Sequence, residues 1–316
     1  MSSAGAGESL LVRPGTGQSR ISWFRLKKHL TGWLFVLPWV VGFLFLMLFP
    51  IIASFLLSFA RYELASAPEF VGTRNFVHTF AEDPKFWISM RVTLSYVLMT
   101  IPAGTVMAVL VALLLNQKVH GVAFFRTAFY IPAVVSGVGL ALLWTYILDR
   151  NGPLNWALAL VNIKGRSWLF DLRWALPSLA LMSLFSVGGA MLIILAALQG
   201  VPQEQYEAVE IDGGGELAKF WHVTIPQISP AIFYNVTMGL IGVLQTFQQA
   251  YIMTGGGPGT STLFYGLHLY RNAFMYYRMG YACMLAWVMF LVILGVTGLN
   301  FLASKYWVFY EAEQPK

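Results

Sequence analysis

Residues 30–60 read LTGWLFVLPWVVGFLFLMLFPIIASFLLSFA and hold no Asp, Glu, Lys or Arg. A helix rises 1.5 Å per residue, so about 20 apolar residues cross the roughly 30 Å hydrocarbon core of a bilayer. This stretch is long enough to do so. A secretory signal peptide is the rival reading, since Ala65-Ser66-Ala67 resembles a cleavage site. A signal's apolar region runs about 7–15 residues, however, and this one is about twice that. We read it as an uncleaved first span.

Working outward, the same charge-free character returns at 92–117, 127–148, 174–203, 220–270 and 279–304. The window 220–270 is too long for one helix. Pro226 and Pro230 punctuate its start and Gly255-Gly256-Gly257-Pro258-Gly259 breaks its end, leaving one span between. Charged residues make up only 11% of the chain, against roughly 25% in a soluble domain. Backbone in hydrocarbon must satisfy itself, so helices are the expected form. The expected fold is an all-α, polytopic membrane bundle of six transmembrane helices, at about 30–60, 92–117, 127–148, 174–200, 231–254 and 279–303. Residues 1–29 and 304–316 are expected to be tails.

The net charge is +6, but the bases sit between apolar runs and form no patch with interleaved aromatics. Membrane lipid and topology explain them, and nucleic acid is not expected. With the amino terminus inside, the bases divide evenly, ten on each side. The cluster Arg25, Lys27 and Lys28 before the first span then decides for both termini being cytoplasmic. The lone Cys283 lies in an apolar run and reads as a buried, inert thiol.

The loop 204–226 is unlike the rest. It holds five of the fourteen acidic residues, Glu204, Glu207, Glu210, Asp212 and Glu216. Two short amphipathic helices are expected, with Tyr206 and Val209 on one face of the first, and Leu217, Phe220 and Trp221 on one face of the second. Gly213-Gly214-Gly215 would cost about 1 kcal/mol each inside a helix, so they are read as a turn, and Pro226 as the end of the second helix. From the residues alone, such a hairpin suits either a partner's groove or an interfacial seat on its own bundle.

Glu207-Ala208-Val209-Glu210-Ile211-Asp212-Gly213, followed by Phe220, Ile225-Pro226 and Pro230, resembles the EAA loop of permeases in binding-protein-dependent ATP-driven (ABC) importers. The chain departs from the family form at Val209 and Gly214, where Ala is usual. The resemblance implies a type I importer-permease fold in the cell (inner) membrane. It implies two cytoplasmic ATP-binding subunits, a second permease that is a different chain, and an extracytoplasmic solute-binding protein. It makes the loop the coupling element, with Glu207, Ala208, Val209, Asp212, Gly213, Phe220 and Pro226 docking on the ATPase. Phe70-Val71-Gly72 through Asp83-Pro84-Lys85-Phe86-Trp87, and Thr254-Gly255-Gly256-Gly257-Pro258-Gly259, are similar to the carbohydrate branch, of the maltose and glycerol-phosphate type. The resemblance therefore implies a carbohydrate substrate: an oligosaccharide, disaccharide, polyol or glycerol-phosphate-like solute.

In the fifth span, Gln245, Gln248 and Gln249 fall at i, i+3 and i+4. Amides both donate and accept, which suits hydroxyl-rich ligands, but they also glue helices together. Tyr251, Trp287 and Trp144 are aromatics that could stack on a sugar face, although interface belts account for most tryptophans. The chain has no Gly-x-x-x-x-Gly-Lys-Ser/Thr loop for ATP phosphates and no carboxylate within the expected spans. No cofactor and no enzymatic role is expected. A stand-alone secondary transporter or channel is the alternative.

Overall fold

The computed structural model describes residues 23–117 and 120–309, with side-chain surroundings from residue 32 onward. The chain divides into two units, one ending at Ala53 and the other beginning at Ser54. Among the described residues the first unit is helix: α1 runs Trp23–Gly42 and continues through a π-helical stretch, Phe43–Leu48, into Phe49–Ser58, whose last residues, from Ser54, belong to the second unit. Its stretch Gly32–Ser58 has a mean hydropathy of 2.7, suited to hydrocarbon.

In the second unit a short hairpin pairs β1 (Ala60–Arg61) with β2 (Glu69–Phe70). Then follow α2 (Pro84–Asn116), α3 (Val122–Val134), α4 (Gly137–Ile147) and α5 (Pro153–Leu160). Next come α6 (Ala175–Leu184), α7 (Gly188–Gln199), α8 (Gln203–Ile211) and α9 (Glu216–Leu244). The last helices are α10 (Gln248–Met253), α11 (Tyr265–Tyr270) and α12 (Met279–Ser304). Among the described residues, four helices are long and apolar enough to cross a membrane, and up to six spans result when each bent pair counts as one.

The charge-free windows locate these helices but miss how they begin and bend. α2 starts at Pro84, ahead of the 92–117 window, because Lys85 and Arg91 sit at its end. Asp83 caps it, its Oδ1 accepting the Lys85 N–H at 2.9 Å. The window 127–148 is two helices meeting at 101°, not one rod. Pro132 weakens the backbone ladder there, and Val135 and Ser136 are extended. The window 174–200 is likewise α6 and α7, bent by 43°. At that bend Gly188 lies against α3: a Cβ there would sit 2.3 Å from the Phe129 carbonyl oxygen, so only glycine fits.

The fifth span differs most from expectation. Pro226 does not end a helix; the helix from Glu216 runs through it to Leu244. A π-turn over Phe220–Thr224 absorbs the mismatch, with the Ile225 N–H donating to the Phe220 carbonyl five residues back. Pro230 takes the N–H from the next turn, and Ser229 Oγ donates to the freed Pro226 carbonyl at 2.6 Å. At its other end the span is not continuous to 254: it stops at Leu244 and resumes at Gln248.

In lipid, tight side-chain packing and small residues hold helices together, since tails are as apolar as leucine. α2 is the spine of this arrangement, contributing to all three buried clusters. Ala108 and Ala112, one turn apart and fully buried, share a cluster with Met191, Ile194 and Leu195 of α7. Tyr96 enters a second with Leu140, Leu179 and Leu267. Phe86 and Val97 join Leu240, Tyr265 and Met284 in the third. The buried Thr93 hydroxyl is satisfied on both sides: Oγ1 donates to the Ser89 carbonyl and accepts the Tyr265 N–H, both at 2.9 Å.

Candidate functional site

The hairpin from α8 to α9 is built by one helix stop. Gly213 has φ +80°, its N–H bonds the Glu210 carbonyl at 2.9 Å, and the Gly214 N–H bonds the Val209 carbonyl at 2.8 Å. This is the two-bond helix stop that requires a left-handed residue, which glycine supplies without strain. The two arms are then tied together. Lys219 Nζ donates to Glu210 and to Glu216, the latter at 2.8 Å. Gln227 Nε2 donates to Gln205 Oε1 at 2.8 Å, and the Tyr206 and Thr224 hydroxyls lie 3.2 Å apart.

Tyr206 and Val209 share the half-buried inner face, as the spacing implies. The second arm divides: Phe220 turns partly inward, while Leu217 and Trp221 remain exposed. Glu207, Ala208 and Asp212 are exposed beside Ile211, which is 86% exposed. Acidic and aliphatic groups thus form one outward surface on a braced turn. The two departures at 209 and 214 are linked. A Cβ on Gly214 would lie 2.5 Å from Val209 Cγ1, so the larger side chain at 209 takes the space that alanine at 214 would use.

Within the expected spans, the three glutamines do not share one helical face, because the chain leaves the helix between Gln245 and Gln248. Gln245 Nε2 donates to the Ile241 carbonyl at 3.1 Å. Gln249 Oε1 accepts from the Tyr96 hydroxyl at 3.3 Å and so joins helices. Gln248 is exposed and reaches α4: a Cβ on Gly137 would lie 3.3 Å from its Oε1. The break at 245–247 therefore meets the bend between α3 and α4. Gly266 of α11 packs on the same break, its virtual Cβ 3.1 Å from Phe247 Cβ and 3.3 Å from the Thr246 carbonyl.

Tyr251 is 41% exposed and packs edge to face on Tyr270 at 5.4 Å. Tyr270 also stacks on Phe247 and leans on Phe274. The sequence reading missed Phe247, Tyr270 and Phe274, although 247/251 and 270/274 each have helical i, i+4 spacing. Trp287 is not part of this group. Its indole N–H donates to Ser54 Oγ at 3.2 Å and its ring packs on Phe55.

A further cluster ties the start of α2 to α11 and α12. Asp83 Oδ2 accepts from the Tyr281 hydroxyl at 2.6 Å and lies 3.0 Å from His268 Nε2. Burial pushes the Asp83 carboxyl up, but the Tyr281 hydrogen bond, His268 and the Lys85 N–H together hold it below its ordinary value. Burial pushes the His268 imidazole down, only partly opposed by Asp83. His268 falls in an expected loop, and nothing in its local sequence marked it.

Residues 92–305 match the family described as "Binding-protein-dependent transport system inner membrane component". The probable ABC transporter permease protein YesP of Bacillus subtilis (strain 168) is 38% identical over 91% of this chain and 94% of its own length. The lactose transport system permease protein LacF of Rhizobium radiobacter is 32% identical over 89% of this chain and 96% of its own. A chain of the bacterial alginate ABC transporter, solved in complex with an alginate pentasaccharide-bound periplasmic protein, shares the fold. Its TM-score is 0.78 at 21% identity, covering 90% of this chain and 97% of that one. Helical spans, a braced turn and these relatives agree: the chain belongs to the binding-protein-dependent inner membrane components, as the non-catalytic, multi-pass permease subunit of an ATP-driven importer that works with separate ATPase and solute-binding partners.

Proposed function

We propose that this permease passes a carbohydrate across the membrane where the α3–α4 bend meets the α9–α10 break, and that the 204–226 hairpin docks on the ATPase from the cytoplasmic side. One observation carries the transit site. Irregular backbone within a spanning region is tolerated where protein buries it or where it lines a cavity, and here two such breaks adjoin, with the exposed Gln248 amide at their meeting. Gln248 starts the short helix that carries Tyr251, whose ring packs on Tyr270, and an amide with aromatics suits a ligand of alternating hydroxyl and C–H faces. The name of LacF supports the carbohydrate class. The exposed Glu207, Ala208, Ile211 and Asp212 surface supports docking, and Arg25, Lys27 and Lys28 support cytoplasmic termini. A second, different permease chain would complete the pathway.

The test is uptake of labelled saccharides by the assembled complex, supplied with its solute-binding protein, in liposomes. Gln248→Leu removes a hydrogen-bonding amide, about 1.4 kcal/mol or roughly tenfold in affinity. Uptake should fall by that factor while ATPase co-purification stays normal. Unchanged saccharide uptake by this variant would remove Gln248 from the pathway.

A further inference from the structure

Helix α5 is amphipathic in the sense opposite to that of a helix on a water-soluble protein. Its polar residue faces in. Asn155 is 6% exposed and its amide is fully engaged. Nδ2 donates to the carbonyls of Asp149, Arg150 and Arg166, while Oδ1 accepts from the Arg166 N–H and the Trp168 indole N–H. Gly165 is packed against it, a Cβ there falling 2.7 Å from Asn155 Cγ. Leu154 and Leu158 are half-buried, but Trp156 and Leu160, one turn apart at i and i+4, are each 67% exposed, and Ile163, just past the helix end, is 53% exposed.

The end of the helix is also built. Asn162 has φ +57°, its N–H bonds the Ala159 carbonyl at 3.1 Å, and the Ile163 N–H bonds the Leu158 carbonyl at 2.9 Å. This stop holds Ile163 next to the helix it terminates. Exposed bases flank the row, Arg150 before the helix and Lys164 after it.

We propose that α5 lies in the membrane interface, with Trp156, Leu160 and Ile163 seated among lipid acyl chains and Arg150 and Lys164 at anionic headgroup phosphates. A polar residue locked inward and an apolar row held outward disfavour water on that face. At eight residues, α5 is too short to span. A tryptophan-bearing apolar face with cationic flanks matches a helix lying in the plane of the bilayer boundary.

The test uses the assembled transporter in nanodiscs of phosphatidylethanolamine and phosphatidylglycerol, in a Cys283→Ser background. Nitroxides are placed by Trp156→Cys, by Leu160→Cys as a second variant, and by Asn151→Cys as the water reference. At 156 and 160, relaxation by oxygen should exceed relaxation by a water-soluble nickel complex severalfold, with the order reversed at 151. Replacing phosphatidylglycerol by phosphatidylcholine should bring both labels toward water, and Arg150→Gln with Lys164→Gln should abolish that response. Nickel access at 156 and 160 equal to that at 151 would overturn the proposal. So would labels shielded from both reagents, which would mean a protein partner covers the row.

Discussion

The turn at 213–215 and the break at 245–247 interrupt the chain at the two ends of one helix, and they are made differently. The turn is written locally. Gly213 supplies a left-handed residue, and the helix stops there whatever surrounds it. The break contains Gln245, Thr246 and Phe247, with neither glycine nor proline. Tertiary neighbours close on it instead: Gly266 packs on its backbone and Gly137 lies against Gln248. One feature can be read from a few residues, and the other requires knowing which distant residues arrive.

The sharpest way to break this contrast is at Gly213. A side chain in the left-handed region costs about 1–2 kcal/mol, more when β-branched, and would redirect the exposed turn. Gly213→Val should abolish uptake and ATPase co-purification while the protein still inserts. Normal uptake would show that the turn is not locally specified. Gly266→Val attacks the break from outside it. It should lower uptake strongly yet leave ATPase co-purification intact, since the hairpin is untouched. Loss of both would mean that the two interruptions are not independent.

A smaller effect should come from Gly214→Ala. Overpacking costs about 1–3 kcal/mol, so the purified subunit should unfold at lower temperature. Adding Val209→Ala should recover part of that loss, because it clears the Val209 Cγ1 contact at 2.5 Å but leaves the Val209 carbonyl at 3.0 Å and Ala218 Cβ at 3.2 Å. Strictly additive losses would dismiss the linkage. The smallest effect belongs to the Asp83–His268 cluster. Both groups bind protons more weakly when folded, so the unfolded state takes up more protons in acid and stability falls. The share of His268 fades as pH drops below its ordinary 6.5, and that of Asp83 as pH falls through its lowered value, below 3.8. A thermal unfolding series should therefore lose stability on acidification, and His268→Gln should flatten the near-neutral part of the curve.

These contrasts also mark how far the sequence was legible. Hydrocarbon demands long charge-free runs, so all the spanning windows could be found from Asp, Glu, Lys and Arg alone. Where helices began was less visible, because Lys85 and Arg91 sit within α2 and the helix from Glu216 enters the last part of the hairpin. Pro226 misled, since a π-turn lets the helix carry it. The hairpin itself was readable because the loop is acidic, glycine-broken and continuous in sequence. The glutamine face was not, because its i, i+4 logic assumed an unbroken helix. The neighbours of Trp287, Ser54 and Phe55, were not legible either, since sequence does not say which side chain an aromatic ring will meet.

The central claim is that the braced turn touches the ATPase. Its most direct measurement is zero-length disulfide cross-linking from Ala208→Cys, in a Cys283→Ser background, to cysteines placed in turn across the ATPase surface of the assembled importer. The account predicts a cross-link whose yield changes on ATP binding. Labelling of that cysteine by an impermeant reagent from the outside, with no ATPase cross-link at any position, would contradict it.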